Sequence, residues 1–495
     1  MSRSAKEILF ALPVSGFAVC CGIWIAQGET LLPAAAGGAL LCVIVARVSP
    51  IGFNALVPGL LVAGYIIGNR GFAQLTVSGS LPLFPAETGM AATLSVLVWT
   101  CARERRLPLR RDGLNLALLL WMALSTVRLP FDARTHGVMA LRDFAMVYYA
   151  LFFFVAQQAM QEPAHRRWLR RCLLGSTLAL LPLYGAFLLR RDFFLETLTV
   201  RGLPLVWFKG DLAGTFMSLG ALSWFLEYER DRRRWWAVPA ALALAAGMVA
   251  TENRAAMLAL AAGTAWLAAA GRWRFAGWLA ASGAAAALAI LLWAQAANRP
   301  WTRTPLHGVY QRVVSVADWQ GRGSYTAEGA ESKGDNNRFR AVWWTTVVNE
   351  TLAGDPWTGL GYGHDLAENF LRAYYADTNE EFTTRSPHNL LISIFARTGA
   401  AGLAAFLLVA ACMARRTWSA ARSGAGTRDG AALADGLGPW CCAWAILASA
   451  CFGVVLEGPM GAVVFWILLG TAAAWRPEPG AGGGEGGGGA SGLSH

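Results

Sequence analysis

The sequence predicts an all-α polytopic membrane protein, with about 12–14 transmembrane helices and one large, partly helical loop on the side away from the cytoplasm. Hydrophobic residues make up 55% of the 495 residues and charged residues only 15%, and the mean hydropathy is +0.41. Apolar stretches recur as far as Trp475, each close to the ~20 residues that a helix needs to cross ~30 Å of hydrocarbon. One hydrophilic segment, 295–388, interrupts them. A soluble fold is therefore disfavoured.

The apolar stretches predict helices at 8–26, 30–46, 51–68, 88–102, 113–128, 138–160, 172–189, 211–228, 236–250, 255–270, 275–294, 389–413, 437–456 and 459–475. The first is expected to be retained, because it lacks a small-residue cleavage site. The short stretches near 88, 236 and 255 leave a re-entrant course open, so the expected number is twelve to fourteen, preferably even. The chain then divides into N-terminal helices (1–294), the large loop (295–388), C-terminal helices (389–475) and a Gly-rich tail (476–495), expected to be disordered.

Basic residues predict how the chain is oriented in the membrane. Short clusters of arginine occupy every second connection, a bias that is typical of cytoplasmic loops. They are Arg103 to Arg111, Arg166 to Arg171, Arg230 to Arg234, Arg272 with Arg274, and Arg415 with Arg416. Counting from these connections places both termini in the cytoplasm and the large loop on the far side of the membrane.

Charge and cysteine content exclude two other classes of function. The net charge of +11 suggests nucleic acid at first sight, but the basic residues fall between apolar segments and not on one polar face. We therefore expect a phospholipid bilayer as a partner and no nucleic acid. The nine cysteines lie in or beside apolar segments, so neither a disulfide framework nor a Cys-based zinc site is implied.

One arginine stands inside an apolar run. Arg142 and Asp143 interrupt the helix predicted at 138–160, in its outer third. A charge at that depth costs a few kcal/mol on insertion scales, so such a residue usually faces protein, water or a ligand. Two interpretations stay open: a local Arg142–Asp143 pair or snorkelling to the interface, and a role for Arg142 in binding an anion.

The end of the large loop carries the strongest functional signal. His388 stands in Arg385-Ser386-Pro387-His388-Asn389, where a Leu/Ile-rich helix begins, and Pro387 is suited to opening that helix. Further along, Gly399 and Gly402 are three residues apart, which permits close helix packing. An interfacial histidine alone is usually an ordinary hydrogen-bonded residue. Its position among arginines outside the cytoplasm favours a catalytic role.

Those arginines predict an anion site beside His388. Arg254 lies in the short outer turn Thr251-Glu252-Asn253-Arg254, and Arg338 and Arg340 open an amphipathic helix of the loop. A guanidinium presents a fixed fork of donors that matches phosphate oxygens and stays charged at any working pH. The structural alternative for each arginine is a salt bridge or a solvated surface charge. Arg201 and Lys209 stand on the same predicted side.

Three motifs in this order resemble the bacterial O-antigen ligase and polymerase superfamily. They are the Asn253-Arg254-Ala255-Ala256 turn, the stretch from Asn337-Arg338 through Trp344 to Gly359-Leu360-Gly361-Tyr362-Gly363, and the helix start from Pro387-His388-Asn389 to Gly399 and Gly402. The resemblance covers roughly residues 200–410. The glycine motif follows no predicted strand, so it does not indicate a dinucleotide-binding fold.

The resemblance implies a glycosyl transfer at the periplasmic face of the inner membrane. Its donor would be undecaprenyl-pyrophosphate-linked O-antigen, and its acceptor a sugar hydroxyl of the lipid A-core oligosaccharide. His388 would take the proton from the acceptor hydroxyl as it attacks the anomeric carbon, which inverts the configuration. The substrate pyrophosphate would be bound by Arg254, Arg338, Arg142, Arg340, Arg201 and Lys209. We expect neither a cofactor nor a metal, and the sequence indicates no oligomeric state.

Several alternatives stay open on the sequence alone. The carboxylates Asp377, Glu380 and Glu381, with the nearby Asp365 and Glu368, permit a metal-dependent route. An O-antigen polymerase or a protein O-oligosaccharyltransferase of the same superfamily would differ mainly in the acceptor. A lipid or polysaccharide transporter belongs to a different class, and polar residues at one membrane face together with the absence of visible internal repeats disfavour it.

Overall fold

Helices make up nearly all of the described structure. The computed structural model describes residues 37, 51–76, 84–105, 107, 109–318, 331–374, 385–426 and 429–475. The tail 476–495 and the helices predicted at 8–26 and 30–46 lie outside the described residues, apart from residue 37. The predicted fold class, an all-α polytopic membrane protein, is confirmed.

The helices of the N-terminal part are α1 (Phe53–Gly68), α2 (Arg70–Gln74), α3 (Pro85–Arg103), α4 (Gly113–His136), α5 (Val138–Asp143), α6 (Ala145–Tyr148), α7 (Leu151–Ala159), α8 (Pro163–Leu189), α9 (Gly210–Arg230), α10 (Ala237–Ala250), α11 (Arg254–Ala269) and α12 (Arg274–Ala296). A π-helical turn (Phe193–Thr197) and the two-residue antiparallel strands β1 (Thr199–Val200) and β2 (Leu203–Pro204) lie between α8 and α9. The C-terminal part contains a 3-10 turn (Trp301–Arg303), α13 (Pro305–Ala317), α14 (Glu331–Gly354), α15 (Glu368–Tyr374), α16 (Leu390–Gly426), α17 (Gly430–Ala450) and α18 (Pro459–Ala474).

Within the described part of the chain, six helical segments are long and apolar enough to cross a membrane: Gly113–His136, Val138–Ala159, Pro163–Leu189, Arg274–Ala296, Leu390–Gly424 and Gly430–Ala450. Four shorter apolar helices join them, namely α1, α10, α11 and α18. The chain is therefore a multi-pass membrane protein. The helix predicted at 138–160 is broken into α5, α6 and α7, and α8 begins nine residues before the predicted 172 because its basic first turns are helical too.

Helix α9 lies at the centre of the bundle. It is buried along most of its length and packs against α8, α10, α11 and α17. Small residues permit the close contacts, since Gly263 of α11 faces Leu222 with no room for a side chain. Helix α12 is peripheral, with only 6% of its most apolar stretch buried. Its apolar surface requires lipid, which agrees with a membrane location.

The predicted basic clusters meet at one end of the bundle. Glu227, near the end of α9, forms ion pairs with Arg170, Arg230 and Arg234. At the same end, Arg272 pairs with Glu229. These clusters come from alternate connections and share one end of the bundle. Successive connections therefore lie at alternating ends, as the sequence predicts. The identity of that end as cytoplasmic stays a prediction.

Helix α16 is interrupted at Gly399. This residue has φ 64° and ψ −165°, a conformation that only glycine adopts readily. The freed backbone groups are paired by the large loop: the Ala400 N–H donates to the Pro356 carbonyl at 2.8 Å, and the Leu360 N–H donates to the Ala396 carbonyl at 2.6 Å. Gly399 is thus a bend in one helix, and its role in close helix packing, expected from the sequence, is replaced by close packing against Trp357 of the loop.

We expect Gly399→Ala to lower the free energy of unfolding by about 2 kcal/mol or more, because the added methyl group needs a strained φ and overlaps the Trp357 backbone. Thermal unfolding in detergent measures the loss. Gly283→Ala in α12 is the matched control, since a methyl group there meets no atom within 4 Å. Equal stability of the two variants would show that the bend at Gly399 is not a constraint on the fold.

Candidate functional site

The candidate site surrounds His388, between the large loop and α16. His388 has φ 55°, a left-handed conformation that is uncommon for a residue with a side chain. Its N–H donates to Ser386 Oγ at 3.3 Å, and its ring lies 5.8 Å from the Trp343 ring. Asn389 caps α16 by accepting from the Leu391 N–H at 3.0 Å. The helix therefore begins at a side-chain cap, whereas the sequence had suggested Pro387 as its opening residue.

A half-buried carboxylate holds the His388 segment in place. Glu457, in the turn between α17 and α18, accepts hydrogen bonds from Ser386 Oγ and Ser393 Oγ, both at 2.7 Å. Burial raises the pKa of Glu457, while these hydroxyl groups and the charge of Arg397 oppose the shift. The Ser386 hydroxyl joins the carboxylate to the His388 backbone. Sequence reasoning did not select Glu457, although a lone acidic residue between two apolar helices is a usable signal.

One face of α14 contacts the site. Asn337, Arg340 and Trp344 are spaced three and four residues apart, which places them on the same side of the helix. The Arg254 Nη1 donates to Asn337 Oδ1 at 2.6 Å, the Arg340 Nη1 to the Phe452 carbonyl at 3.1 Å, and the Trp344 Nε1 to the Pro387 carbonyl at 2.7 Å. The loop helix thereby joins the arginine turn, the α17–α18 turn and the histidine segment.

Two predicted cationic residues, Arg340 and Lys209, act on His388 through their charges, and a third, Arg254, acts on Arg340. Arg254 begins α11, and its turn is fixed by Asn253, whose side chain accepts from the Ala256 N–H at 3.2 Å. The charges of Arg254 and Asp211 act on Arg340. Burial, together with the charge of Arg254, lowers the pKa of the Arg340 guanidinium. Lys209 precedes α9, and its Nζ lies 3.2 Å from Asp211 Oδ2. Asp211 lies beside Lys209, and its charge acts on both Arg340 and His388 in the direction opposite to that of the cations.

The charges of these cations act on the histidine. Burial, followed by the charges of Arg340 and Lys209, lowers the pKa of His388 from 6.5 to about 4, against a smaller opposing effect of Asp211. The imidazole is therefore neutral at physiological pH and able to accept a proton. An anion bound among Arg340 and Lys209 would oppose their charge and raise the pKa of His388.

The structure does not bring the other predicted cations to His388. Arg338 is exposed, and it lies about 200° around α14 from Arg340, on the far side of the helix. Arg142 is exposed as well, and Asp143 forms its ion pair with Arg397, so the local Arg142–Asp143 pair considered from the sequence is not formed. Arg201 lies exposed in the turn between β1 and β2.

The Gly359-x-Gly361-x-Gly363 motif fastens the loop to the bundle. Its glycines have φ of 78°, 96° and 89°. In this conformation the Tyr362 N–H donates to Asp132 Oδ2 at 2.8 Å and the Gly363 N–H to Asp143 Oδ2 at 2.9 Å. A side chain at Gly361 would overlap the Asp132 carboxylate. The motif is thus a docking segment with carboxylate acceptors, which agrees with the rejection of a dinucleotide-binding role.

Arg397 is the buried cation that sequence reasoning missed. Its side chain is 3% exposed, and its Nη1 lies 2.8 Å from Asp143 Oδ2 and 3.4 Å from the Gly361 carbonyl. Arg397 is also close enough to Glu457 for its charge to act on that carboxylate. Its position nine residues after His388, inside an apolar run, was a signal of the same kind as the one noted at Arg142.

The described part of the chain contains no group of three or more His, Cys, Asp or Glu side chains suited to a metal. Of the loop carboxylates considered from the sequence, Asp365 pairs with Arg385 at 3.2 Å and Glu368 with Arg372 at 2.6 Å. The carboxylates of Asp377, Glu380 and Glu381 lie outside the described residues.

Comparison with known protein families gives one match. A protein-family model described as O-antigen ligase matches residues 239–407, a range that contains Arg254, Arg340, the glycine motif and His388. The match supports membership of the O-antigen ligase/polymerase superfamily. A search of curated proteins found no match.

We expect Arg397→Met to lower the free energy of unfolding by about 3–5 kcal/mol, because it leaves the Asp143 and Glu457 carboxylates without their shared buried cation. Thermal unfolding in detergent, with protease digestion of the large loop, measures the effect. The same substitution at Arg372, which is 76% exposed in its pair with Glu368, should cost at most about 1 kcal/mol. A stable Arg397→Met variant with a protected loop would contradict this role.

Proposed function

From its membership of the O-antigen ligase/polymerase superfamily, we propose that this chain is a glycosyltransferase that moves O-antigen polysaccharide from undecaprenyl pyrophosphate to a sugar hydroxyl of lipid A-core oligosaccharide. The observation that carries the proposal is a neutral histidine on which the charges of Arg340 and Lys209 act, with Arg254 acting on Arg340 from a separate segment. The site lies at the end of the bundle away from the basic clusters. We place this end at the periplasmic face of the inner membrane, with both termini in the cytoplasm.

Arg254, Arg340 and Lys209 are the proposed pyrophosphate ligands. Phosphate oxygens accept the paired N–H donors of a guanidinium, and Arg254 already has one donor oriented by Asn337. Arg340 and Lys209 both lower the pKa of His388, so positive charge dominates around the imidazole, and a bound anion would oppose it. The same charge stabilises the pyrophosphate as it departs, so this reaction needs no metal, cofactor or general acid. Full activity in the presence of a chelator is the expected result.

His388 is the proposed general base. It accepts the proton of the acceptor hydroxyl while that oxygen forms its bond to the anomeric carbon of the donor sugar. The bond between the same carbon and the pyrophosphate oxygen breaks, and the electron pair leaves with undecaprenyl pyrophosphate. Direct displacement inverts the anomeric configuration. In this scheme Glu457 is a positioning residue, because it reaches His388 only through the Ser386 hydroxyl.

Anion binding couples the two parts of the site. In the free protein Arg340 and Lys209 lower the pKa of His388 to about 4, a value that makes it a weak base. The donor pyrophosphate offsets those charges, so the imidazole gains basicity when the donor is bound. The base is then strongest in the complex that needs it, and the coupling follows from charge alone.

We expect His388→Ala and Arg340→Ala to abolish ligation in cells that lack the native gene, because one removes the base and the other a pyrophosphate ligand. Lipopolysaccharide gels should show core without O-antigen while lipid-linked polymer accumulates, with normal amounts of the variants in the membrane. Arg338→Ala is the matched control, since it removes an equal charge from the opposite side of α14 and should leave a normal ladder. A normal ladder from His388→Ala would remove that residue from the reaction.

The same gels separate the alternative functions. A polymerase defect would leave core bearing a single repeat unit, and an unchanged ladder with loss of glycan from membrane or periplasmic proteins would indicate a protein O-oligosaccharyltransferase. A transporter would keep its function in the His388→Ala variant. Each of these patterns would replace the ligase proposal.

We also expect a characteristic pH dependence, measured with a purified lipid-linked donor. The base must be unprotonated to act. Because kcat/KM reports the free protein, we expect kcat/KM to stay constant as the pH is lowered to ~5 and to fall as the pH drops through about 4. The acid limb of kcat should lie at higher pH, because the bound anion raises the pKa of His388. Lys209→Gln should raise the pH of the acid limb of kcat/KM, because Lys209 also lowers the pKa of His388, and Arg338→Gln should not. A limb of kcat/KM near 6.5, the ordinary histidine value, would contradict the proposed electrostatics.

A further inference from the structure

A cavity opens at the end of the bundle opposite His388. It lies between α8, α9, α17 and α18, and its empty space is about 560 Å³, which includes open solvent at the mouth. Arg170, Arg230 and Asp435 stand at the mouth, where their side chains are 13–30% exposed. Leu173 and Cys442 line the depth and are buried. Helix α9 extends over 21 residues, or about 30 Å, so this cavity is remote from Lys209 at the other end.

Ion pairs connect the charged residues at the mouth. Glu227 binds Arg170, Arg230 and Arg234 at 3.0, 3.1 and 2.8 Å, Asp435 binds Arg170 at 3.3 Å and also Arg230, and Arg234 lies 3.5 Å from Asp231 as well. Three guanidinium groups therefore share three carboxylates. Because each guanidinium has five N–H donors, the carboxylates do not use all of the available donors.

Arg166 gives the mouth an excess of positive charge. It lines the same cavity, and its Nη1 donates to the carbonyl oxygens of Met160 and Gln161 at 3.0 and 2.7 Å. These acceptors are neutral, so they do not balance the charge of Arg166. Among the lining residues, three cations (Arg166, Arg170 and Arg230) therefore face two carboxylates (Glu227 and Asp435), and an anion is the complementary ligand.

We propose that this cavity binds an anionic phospholipid, with the phosphate among Arg166, Arg170 and Arg230 and one acyl chain against the apolar wall. Two features favour a lipid over a soluble anion. The wall is apolar along α17 and α18, where Cys442 and Leu468 line it. The cationic mouth lies at the ends of membrane helices, at the level of lipid headgroups, where basic pockets between helices bind anionic lipids.

Photolabelling tests this proposal with the full chain in phosphatidylcholine vesicles that contain a small fraction of phosphatidylglycerol carrying a diazirine on one acyl chain. After irradiation and digestion, we expect label on the stretches of α17 and α18 that line the cavity. Matched diazirine phosphatidylcholine should label them less. Arg170→Gln should reduce the labelling by phosphatidylglycerol about fivefold, the effect of one cation near the membrane surface. Arg171→Gln, an exposed neighbour on α8, should leave it unchanged.

A second variant separates loss of lipid binding from loss of the fold. Ser223→Leu fills the cavity beside Cys442, whose Sγ lies 3.5 Å from Ser223 Oγ, and retains every charge at the mouth. It should remove the label while the protein still elutes as a folded species. Equal labelling by the two lipids, or labelling that persists in Ser223→Leu, would overturn the proposal. Displacement of the label by inorganic phosphate alone would instead identify a site for soluble anions.

Discussion

The interruption of α16 at Gly399 is the constraint on which the rest of the site depends. A helix that bends in a membrane protein leaves N–H and C=O groups without partners, and lipid supplies none. Here the loop backbone at Pro356 and Leu360 pairs with those groups. The bend cannot form without the loop, and the loop cannot dock without the bend. His388, at the beginning of the same helix, therefore has its position set by this mutual pairing.

A second layer of interactions makes the docking specific. The loop N–H groups of Tyr362 and Gly363 point at Asp132 and Asp143, and Arg397 neutralises Asp143 from within α16. Breaking such a buried pair is costly, because the remaining charge has no solvent. Glu457 extends the network to Ser386 and so to the His388 backbone. Stability and the geometry of the candidate site thus rest on the same residues, and a substitution that weakens one is expected to disturb the other.

Much of this fold was predictable, because apolar length and arginine spacing are local properties of the sequence. The Arg254 turn and the helix that begins near His388 were predictable for the same reason, because their signals are also local. Arg340 and Arg338 could not be separated, since the choice depends on which face of α14 meets the bundle. The partners of Arg397 and Glu457 were hidden for a similar reason: each pairs with residues that are distant in the chain. Gly399 was misassigned because a glycine in an apolar helix fits both packing and bending.

The two ends of the bundle use charge differently, and the difference favours the assignment of the active end. Around Glu227 and Glu229, carboxylates are buried among arginines, so most of the charge is balanced within the protein. Around His388, burial and neighbouring cations lower the pKa of both His388 and Arg340. A bound anion would relieve this repulsion. Perturbed groups of this kind concentrate at functional sites, because ligand binding relieves them.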